Sequence, residues 1–281
     1  MIDFGPEMVA FSALADGVRR MVAPNPSMMT GPGTNTYLFG TDEIAVLDPG
    51  PHIESHLTDI LQKAGGPIRW ILATHTHPDH SPGVAALAEM TGAEVLGRPA
   101  PATDHQDQSF EPTRVLRHGD KLESDEFSLE AIHTPGHASN HLCYRHEATN
   151  WIFTGDHVID GSTVVINPPD GNMKQYIDAL RRVRDLQPTA LAPGHGELIE
   201  HPADVIDWII DHRLEREAKV VAALHANPHH TARELVPVVY QDVPEKLYGW
   251  AERSLLAHLI KLHEDGTAAQ DDDDRWVVID A

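Results

Sequence analysis

Four side chains able to hold a metal ion, His75, His77, Asp79 and His80, stand within six consecutive residues of the segment ILATHTHPDHSPG. Imidazole nitrogens and carboxylate oxygens suit a borderline divalent cation such as zinc, and manganese and iron accept the same set. The segment follows an apolar strand-like run, Ile68 to Thr74, and precedes a helix-like one, Pro82 to Met90. The donors therefore occupy a loop at the C-terminal end of a strand. Pro78 keeps that loop from winding into helix, and Ser81 and Pro82 read as N-cap and first helical residue. Three later islands stand in the same setting: His137 in TPGHAS, Asp156 in TGDHV and His195 in PGHGE. Each follows a predicted strand, and turns at the carboxyl ends of strands in an α/β sheet can share one crevice. Taken alone, each island is an ordinary turn; with the HxHxDH loop they predict one site.

The rest of the composition narrows the chemistry. Cys143 is the single cysteine among 281 residues, which excludes an internal disulfide and a thiolate-rich zinc knuckle and leaves His, Asp and Glu as ligands. Against 21 Lys and Arg stand 43 Asp and Glu, a formal net charge of −22, and such a field repels phosphate backbones and anionic lipid surfaces. No apolar run approaches the ~18 residues of a membrane span. The first ten residues, MIDFGPEMVA, carry acids where a secretory signal carries bases, so the expectation is a cytoplasmic protein.

The donors must be positioned by an α/β framework with more strands than helices. Short apolar runs predict strands at Gly17 to Val22, Thr36 to Phe39, Ile44 to Leu47, Ile68 to Thr74, Glu94 to Leu96, Phe127 to Ile132, Leu142 to Tyr144, Trp151 to Thr154 and Thr189 to Ala192. Helical periodicity predicts helices at His52 to Ala64, Pro82 to Met90, Met173 to Leu186 and, longest, Ala203 to Ala226, which Asn227 and Pro228 end. Beyond that point the character changes, and residues 228–281 separate from a larger unit, 1–227. Thr231 and Glu234 form a capping box, though Pro237 removes a hydrogen bond from the helix they would start. Leu247, Ala251, Leu255, Leu259 and Leu262 stripe a further helix up to Gly266, and Trp276 to Ile279 read as a strand. Two helices and an extended wing predict a small winged-helix-like appendix. Its apolar stripe packs on the main unit or on a second copy in a homodimer, and the pattern leaves both open.

The four islands, in this order and spacing, resemble the metallo-β-lactamase superfamily. The resemblance implies an αββα sandwich holding two metal ions. It assigns His75, His77 and His137 to the first metal and Asp79, His80 and His195 to the second, with Asp156 bridging both. Two zinc ions are the expectation, with manganese or iron as alternatives. A bridging carboxylate offsets part of the repulsion between two close dications. Two metals sharing a water lower its pKa from about 15.7 to near neutrality, giving a hydroxide that attacks the substrate. Asp79 is then both ligand and catalytic group, orienting the nucleophile and passing its proton toward the leaving group. Asp48 in LDPG and Thr134 before TPGH are expected to accept the second N–H of metal-bound imidazoles, Asp48 equally reading as a turn former before Pro49. His141 and His157 find no place among seven ligands and read as supporting or cleft-wall residues. His133 reads as a structural histidine.

The resemblance narrows further. GPGTNTYLFG at 31–40, HRLERE at 212–217 and the helical tail are similar to the group of β-lactamase-like protein 2 and its bacterial relatives, across nearly the whole chain. This implies a metal-dependent hydrolase acting on a small-molecule acyl carbonyl, whether ester, thioester or amide, β-lactams included. The alternative within the group is a zinc-dependent single-strand endoribonuclease. Against RNA stand the net charge and the run Asp271 to Asp274 in the predicted wing, while Arg181, Arg182 and Arg184 are a basic cluster that reads more simply as a solvated helix face. Asp156 stands where one major lactamase class uses Cys. A third reading, a non-catalytic zinc-bearing interaction module, is weakened by the intact ligand set. The segments 26–36 and 98–112 are expected as cleft walls.

Overall fold

The computed structural model describes residues 10–159 and 161–279; most of the acid-bearing N-terminal stretch, residues 1–9, lies outside that range. Seven strands form a first sheet in chain order: β1 (Phe11–Ala15), β2 (Val18–Val22), β3 (Asn35–Phe39), β4 (Ile44–Leu47), β5 (Ile68–Leu72), β6 (Glu94–Gly97) and β7 (Arg114–Val115). Its first half is antiparallel, and from β4 onward the pairs run parallel. The parallel crossovers are α1 (Glu54–Ala64) and α2 (Gly83–Thr91). A second sheet carries β8 (Lys121–Glu123), β9 (Ser128–His133), β10 (Leu142–His146), β11 (Trp151–Gly155) and β12 (Ala190–Pro193), with β11 and β12 parallel across α3 (Met173–Asp185).

Period-two alternation explains the layering. Tyr37, Phe39, Ala45, Leu47 and Leu72 face the second sheet and meet Leu129, Leu142, Tyr144 and Phe153. Their neighbours Leu38, Ile44, Val46 and Ile71 face outward and are covered by Leu57 and Ile60 of α1 and Val84 and Leu87 of α2. On the far side of the second sheet, Ile132, Cys143, Ile152 and Leu191 pack under Tyr176, Ile177 and Leu180 of α3 and Ile206 and Ile209 of α4 (Pro202–Ala226). The result is the expected αββα sandwich. Strands β1, β7 and β8, which lie at sheet edges, were not anticipated; β7 and β8 are only two and three residues long, and no residue of β1 is fully buried.

The C-terminal unit is the expected winged helix. It comprises β13 (His230–Thr231), α5 (Ala232–Val239), α6 (Tyr248–Glu264) and the hairpin β14 (Ala268–Gln270) and β15 (Arg275–Val278). Thr231 and Glu234 form the capping box, and α5 runs through Pro237 because Leu235, Val236 and Val239 are buried on both sides of it. The stripe Leu255, Leu259 and Leu262 packs on Val220 and Leu224 of α4 and on α5, within the same chain. Lys174 and Asn172 at the start of α3 reach Asp265 and Glu264 at the end of α6 (2.6 and 2.8 Å), tying the two units together. Among the described residues no helix is long and apolar enough to cross a membrane.

Candidate metal centre

All seven predicted donors converge at one edge of the sandwich. The loop after β5 supplies His75, His77, Asp79 and His80; the turn after β9 supplies His137; the end of β11 supplies Asp156; the turn after β12 supplies His195. Ligand atoms of His75, His77, His137 and Asp156 lie within 4.8 Å of one another, and so do those of Asp79, His80, Asp156 and His195. Asp156 belongs to both groups and divides its oxygens between them. Oδ1 stands 3.3 Å from His80 Nε2 and from His195 Nε2, while Oδ2 stands 3.6 Å from His137 Nε2.

The spacing fits a cation. Donors about 2.0–2.1 Å from a tetrahedral zinc are separated from one another by about 3.3–3.4 Å. In the second group, Asp79 Oδ2 lies 3.2 Å from His195 Nε2 and 3.5 Å from His80 Nε2, and the Asp156 distances complete the set. In the first, His77 Nδ1 lies 2.9 Å from both His75 Nε2 and His137 Nε2, so those rings must spread by about 0.4 Å around a metal. His80 Nε2 and Asp156 Oδ1 are buried with no hydrogen-bond partner among the described residues, a costly state that a shared cation relieves. Gly194 lets the backbone come this close: a Cβ there would stand 2.7 Å from His80 Cε1 and 2.8 Å from Asp156 Oδ1.

Four of the five rings, those of His75, His80, His137 and His195, are aimed by their other nitrogen. His80 Nδ1 pairs with Asp48 Oδ2 at 2.9 Å, His195 Nδ1 with the Gly33 carbonyl at 3.1 Å, and His137 Nδ1 with the Val165 carbonyl at 2.7 Å. His75 Nδ1 meets Thr74 Oγ1 at 3.0 Å, and that hydroxyl donates to Asp48 Oδ2 at 2.7 Å. Asp48 thus lies beneath the loop as expected. Asn35 at the start of β3 clamps the His195 turn, its amide donating to the Pro193 and Gly196 carbonyls at 2.9 Å each. Burial holds His75 well below the ordinary histidine range and His77 at about 3, so both offer free lone pairs. Burial pulls His80 and His195 the same way, yet the surrounding carboxylates, Asp79 and Asp156 foremost, lift His80 well above its ordinary value and His195 to about 9. Those carboxylates demand a cation, and a metal taking the place of the two protons answers the demand.

Two expectations are corrected here. Thr134 pairs with His141 Nδ1 (2.9 Å) and Cys143 rather than with His137, because its side chain lies beneath β10. Ser81 does not cap α2: its hydroxyl donates to Asp107 Oδ2 at 2.7 Å, since segment 98–112 folds over the loop, and Pro82 takes the cap position. His133 is held by the Ser139 carbonyl, in keeping with a structural role. His141 and His157 are fully buried behind the donors. The carbonyls of Gly33 and Val165 carry no sequence signal and were missed. So were Trp250 and Arg253 of α6, which line the cavity above the donors; the indole's place off the buried stripe was the signal for them.

The metallo-beta-lactamase superfamily model matches residues 29–195, and the beta-lactamase associated winged helix domain model matches 231–276. This chain belongs to the metallo-β-lactamase superfamily. It is, with that superfamily, a metal-dependent hydrolase. It is 33% identical over 276 residues to the beta-lactamase-like protein 2 homolog of Drosophila melanogaster, covering 92% of this chain and 91% of that protein. It is 28% identical over 254 residues to the atrochrysone carboxyl ACP thioesterase of Aspergillus fumigatus, covering 85% and 78% respectively. A beta-lactamase domain protein from Burkholderia ambifaria shares the fold with a TM-score of 0.83 over 99% of this chain and 96% of that one, at 22% identity.

Proposed function

We propose that this metallo-β-lactamase superfamily member is a dinuclear zinc hydrolase of acyl carbonyls, with esters and thioesters as its first substrates, working in the cytoplasm. Residues 1–227 form the catalytic unit and 228–281 the winged-helix unit. The observation that carries the reading is the division of one buried carboxylate, Asp156, between two groups of donors. His75, His77 and His137 would hold one zinc, Asp79, His80 and His195 the other, and Asp156 both. Zinc bound there supplies Lewis acidity and brings the pKa of a water from about 15.7 to near neutrality.

The chain's own residues do the rest. Asp48, Thr74 and the carbonyls of Gly33 and Val165 fix the imidazoles of His80, His75, His195 and His137 in one orientation, which removes reorganisation from the reaction. Asp79, whose Oδ2 faces His195 and His80, keeps its other oxygen for the nucleophile and carries its proton to the leaving group. Met28, Ile159 and Val164 give one lobe of the cleft, about 680 Å³, an apolar wall suited to an acyl chain. A relative named as a thioesterase, matched along 85% of this chain, agrees with acyl chemistry.

Single-stranded RNA is disfavoured by charge and by pairing. Asp271 to Asp274 sit exposed at the tip of the wing hairpin, while Arg181 pairs with Asp178, Arg182 with the His133 carbonyl and Arg184 with Asp207. Elemental analysis of purified protein should find two zinc equivalents, falling in His75→Ala and in His195→Ala. Chromogenic esters, thioesters, β-lactams, a phosphodiester and labelled single-stranded RNA then test the substrate class. Turnover of a neutral ester that barely responds to salt is expected; preferential RNA cleavage that collapses as salt rises would transfer the assignment to a nuclease. Sizing the protein during this work separates monomer from homodimer.

A further inference from the structure

Trp250 and Arg253 lie one turn apart on α6, on the face opposite the buried Ala251, Leu255 and Leu262. Although they belong to the winged-helix unit, they line the same cavity of about 440 Å³ as His77, Asp79, His137 and Asp156. Trp250 is 48% exposed, a large apolar surface left open toward the metal donors. The Arg253 guanidinium lies over it, its Cζ 5.2 Å from the ring centroid, and among the described residues makes no hydrogen bond or ion pair. Among the described residues Arg253 is also the one Lys or Arg in the lining of that cavity. Of the four carboxylates there, Asp79 and Asp156 belong to the donor groups, Asp170 accepts from the Gln106 amide at 3.0 Å and the Ser139 N–H at 3.2 Å, and Asp104 lines the cavity without forming an ion pair with Arg253.

We propose that Trp250 and Arg253 form a substrate subsite contributed by the second unit, binding an anionic group, a carboxylate or a phosphate, on an otherwise apolar acyl substrate. A guanidinium fork recognises either anion by paired hydrogen bonds, and an indole face beside it takes the adjoining apolar segment. The subsite rests on the acyl-hydrolase reading for its purpose, and selects among acyl compounds by charge.

The test is a ratio of kcat/KM within matched pairs, measured on the zinc-loaded full chain. One pair sets nitrophenyl hemisuccinate against nitrophenyl butyrate, a carboxylate on the acyl side. The other sets S-butyryl phosphopantetheine against S-butyryl pantetheine, a phosphate on the thiol side. Arg253→Gln should lower at least one charged-to-neutral ratio about tenfold, as loss of a hydrogen bond to an ionised group does, mainly through KM. Arg253→Lys should retain part of the preference. Which pair responds identifies the anion. Arg181→Gln, on an exposed face of α3, should move neither ratio. Unchanged ratios in Arg253→Gln, or an equal shift in Arg181→Gln, would overturn the subsite. Should no ester or thioester be turned over, the acyl reading fails and binding decides the subsite. Glutarate and phosphopantetheine are then titrated against tryptophan emission, with and without zinc. A saturable change that Trp250→Phe abolishes and Arg253→Gln weakens tenfold supports the subsite, and its absence in the wild type refutes it.

Discussion

Exchanging Asp48 for Asn puts a donor where both groups of metal-binding side chains need an acceptor. Asp48 is 2% exposed; its Oδ1 accepts the Thr74 N–H at 2.7 Å, and its Oδ2 accepts the Thr74 hydroxyl at 2.7 Å and the His80 Nδ1–H at 2.9 Å. Asn keeps the first bond but turns its NH2 toward His80 Nδ1–H, donor against donor. Leaving a buried donor unmatched costs about 1–3 kcal/mol. Loss of such an orienting partner weakens metal binding by about 10- to 100-fold. His75 suffers indirectly, because its Nδ1 rests on the Thr74 hydroxyl that Asp48 holds. Thr74→Val separates the two routes: Asp48 keeps His80 and the Thr74 N–H, and only the relay to His75 is lost, worth about 1 kcal/mol or fivefold. Zinc retained against a graded chelator gives the readout, with far-UV circular dichroism confirming the fold. Wild type should release zinc in two steps, Asp48→Asn should shift both, and Thr74→Val should shift one. An unshifted curve in Asp48→Asn, or a larger loss in Thr74→Val, would refute the support scheme.

Gly194→Ala should retain the fold and lose one zinc equivalent by elemental analysis, because the new methyl must displace His80 or Asp156; full zinc content would show that the turn yields instead. Hydrogen bonds from Thr41, first its hydroxyl, then from the Glu43 and Asp42 N–H groups, hold Glu126 at about 2. With the folded value depressed below the ordinary 4.5, its stabilisation is full above about 4.5 and vanishes as pH falls toward 2. Glu126→Gln should therefore lower Tm at neutral pH by a margin that closes on acidification, and a margin independent of pH would contradict this. Burial pushes the Cys143 thiol up to about 12, so iodoacetamide should modify it only after unfolding; rapid labelling of the native protein would dispute its place in the core.

The donor set was legible because each ligand sits in a turn that immediately follows a strand, so the residues and their local setting are contiguous in sequence. Asp48, one residue beyond β4, was expected beneath the loop on the family resemblance alone, since its local sequence read equally well as a turn former before Pro49. What failed was long-range pairing. Thr134 precedes the His137 turn in sequence, yet its hydroxyl points to Cys143 on the neighbouring strand β10 and to His141 just before it. Ser81 has the composition of a cap, but its hydroxyl donates to the Asp107 carboxylate, a charge-assisted bond that aims the side chain at segment 98–112 instead of at the first N–H groups of α2. The carbonyls of Gly33 and Val165 could not be read at all, since every residue has one and only the fold selects which is used.

The C-terminal helices make the same division in a form that bears on substrate. Periodicity identified which side of α6 is buried, but Trp250 and Arg253, off that stripe, drew no reading. It could not say what the other side faces. The answer depends on how α6 docks on α3, through Ala257 in the core beneath α3 and through the Lys174–Asp265 and Asn172–Glu264 contacts. Shifting that dock by one helical turn would carry the indole and guanidinium about 5.4 Å along the helix axis, away from the donors, with no change in any motif. Metal chemistry is thus written locally, in short turns, whereas the charge selectivity proposed for this enzyme is written in the joint between its two units.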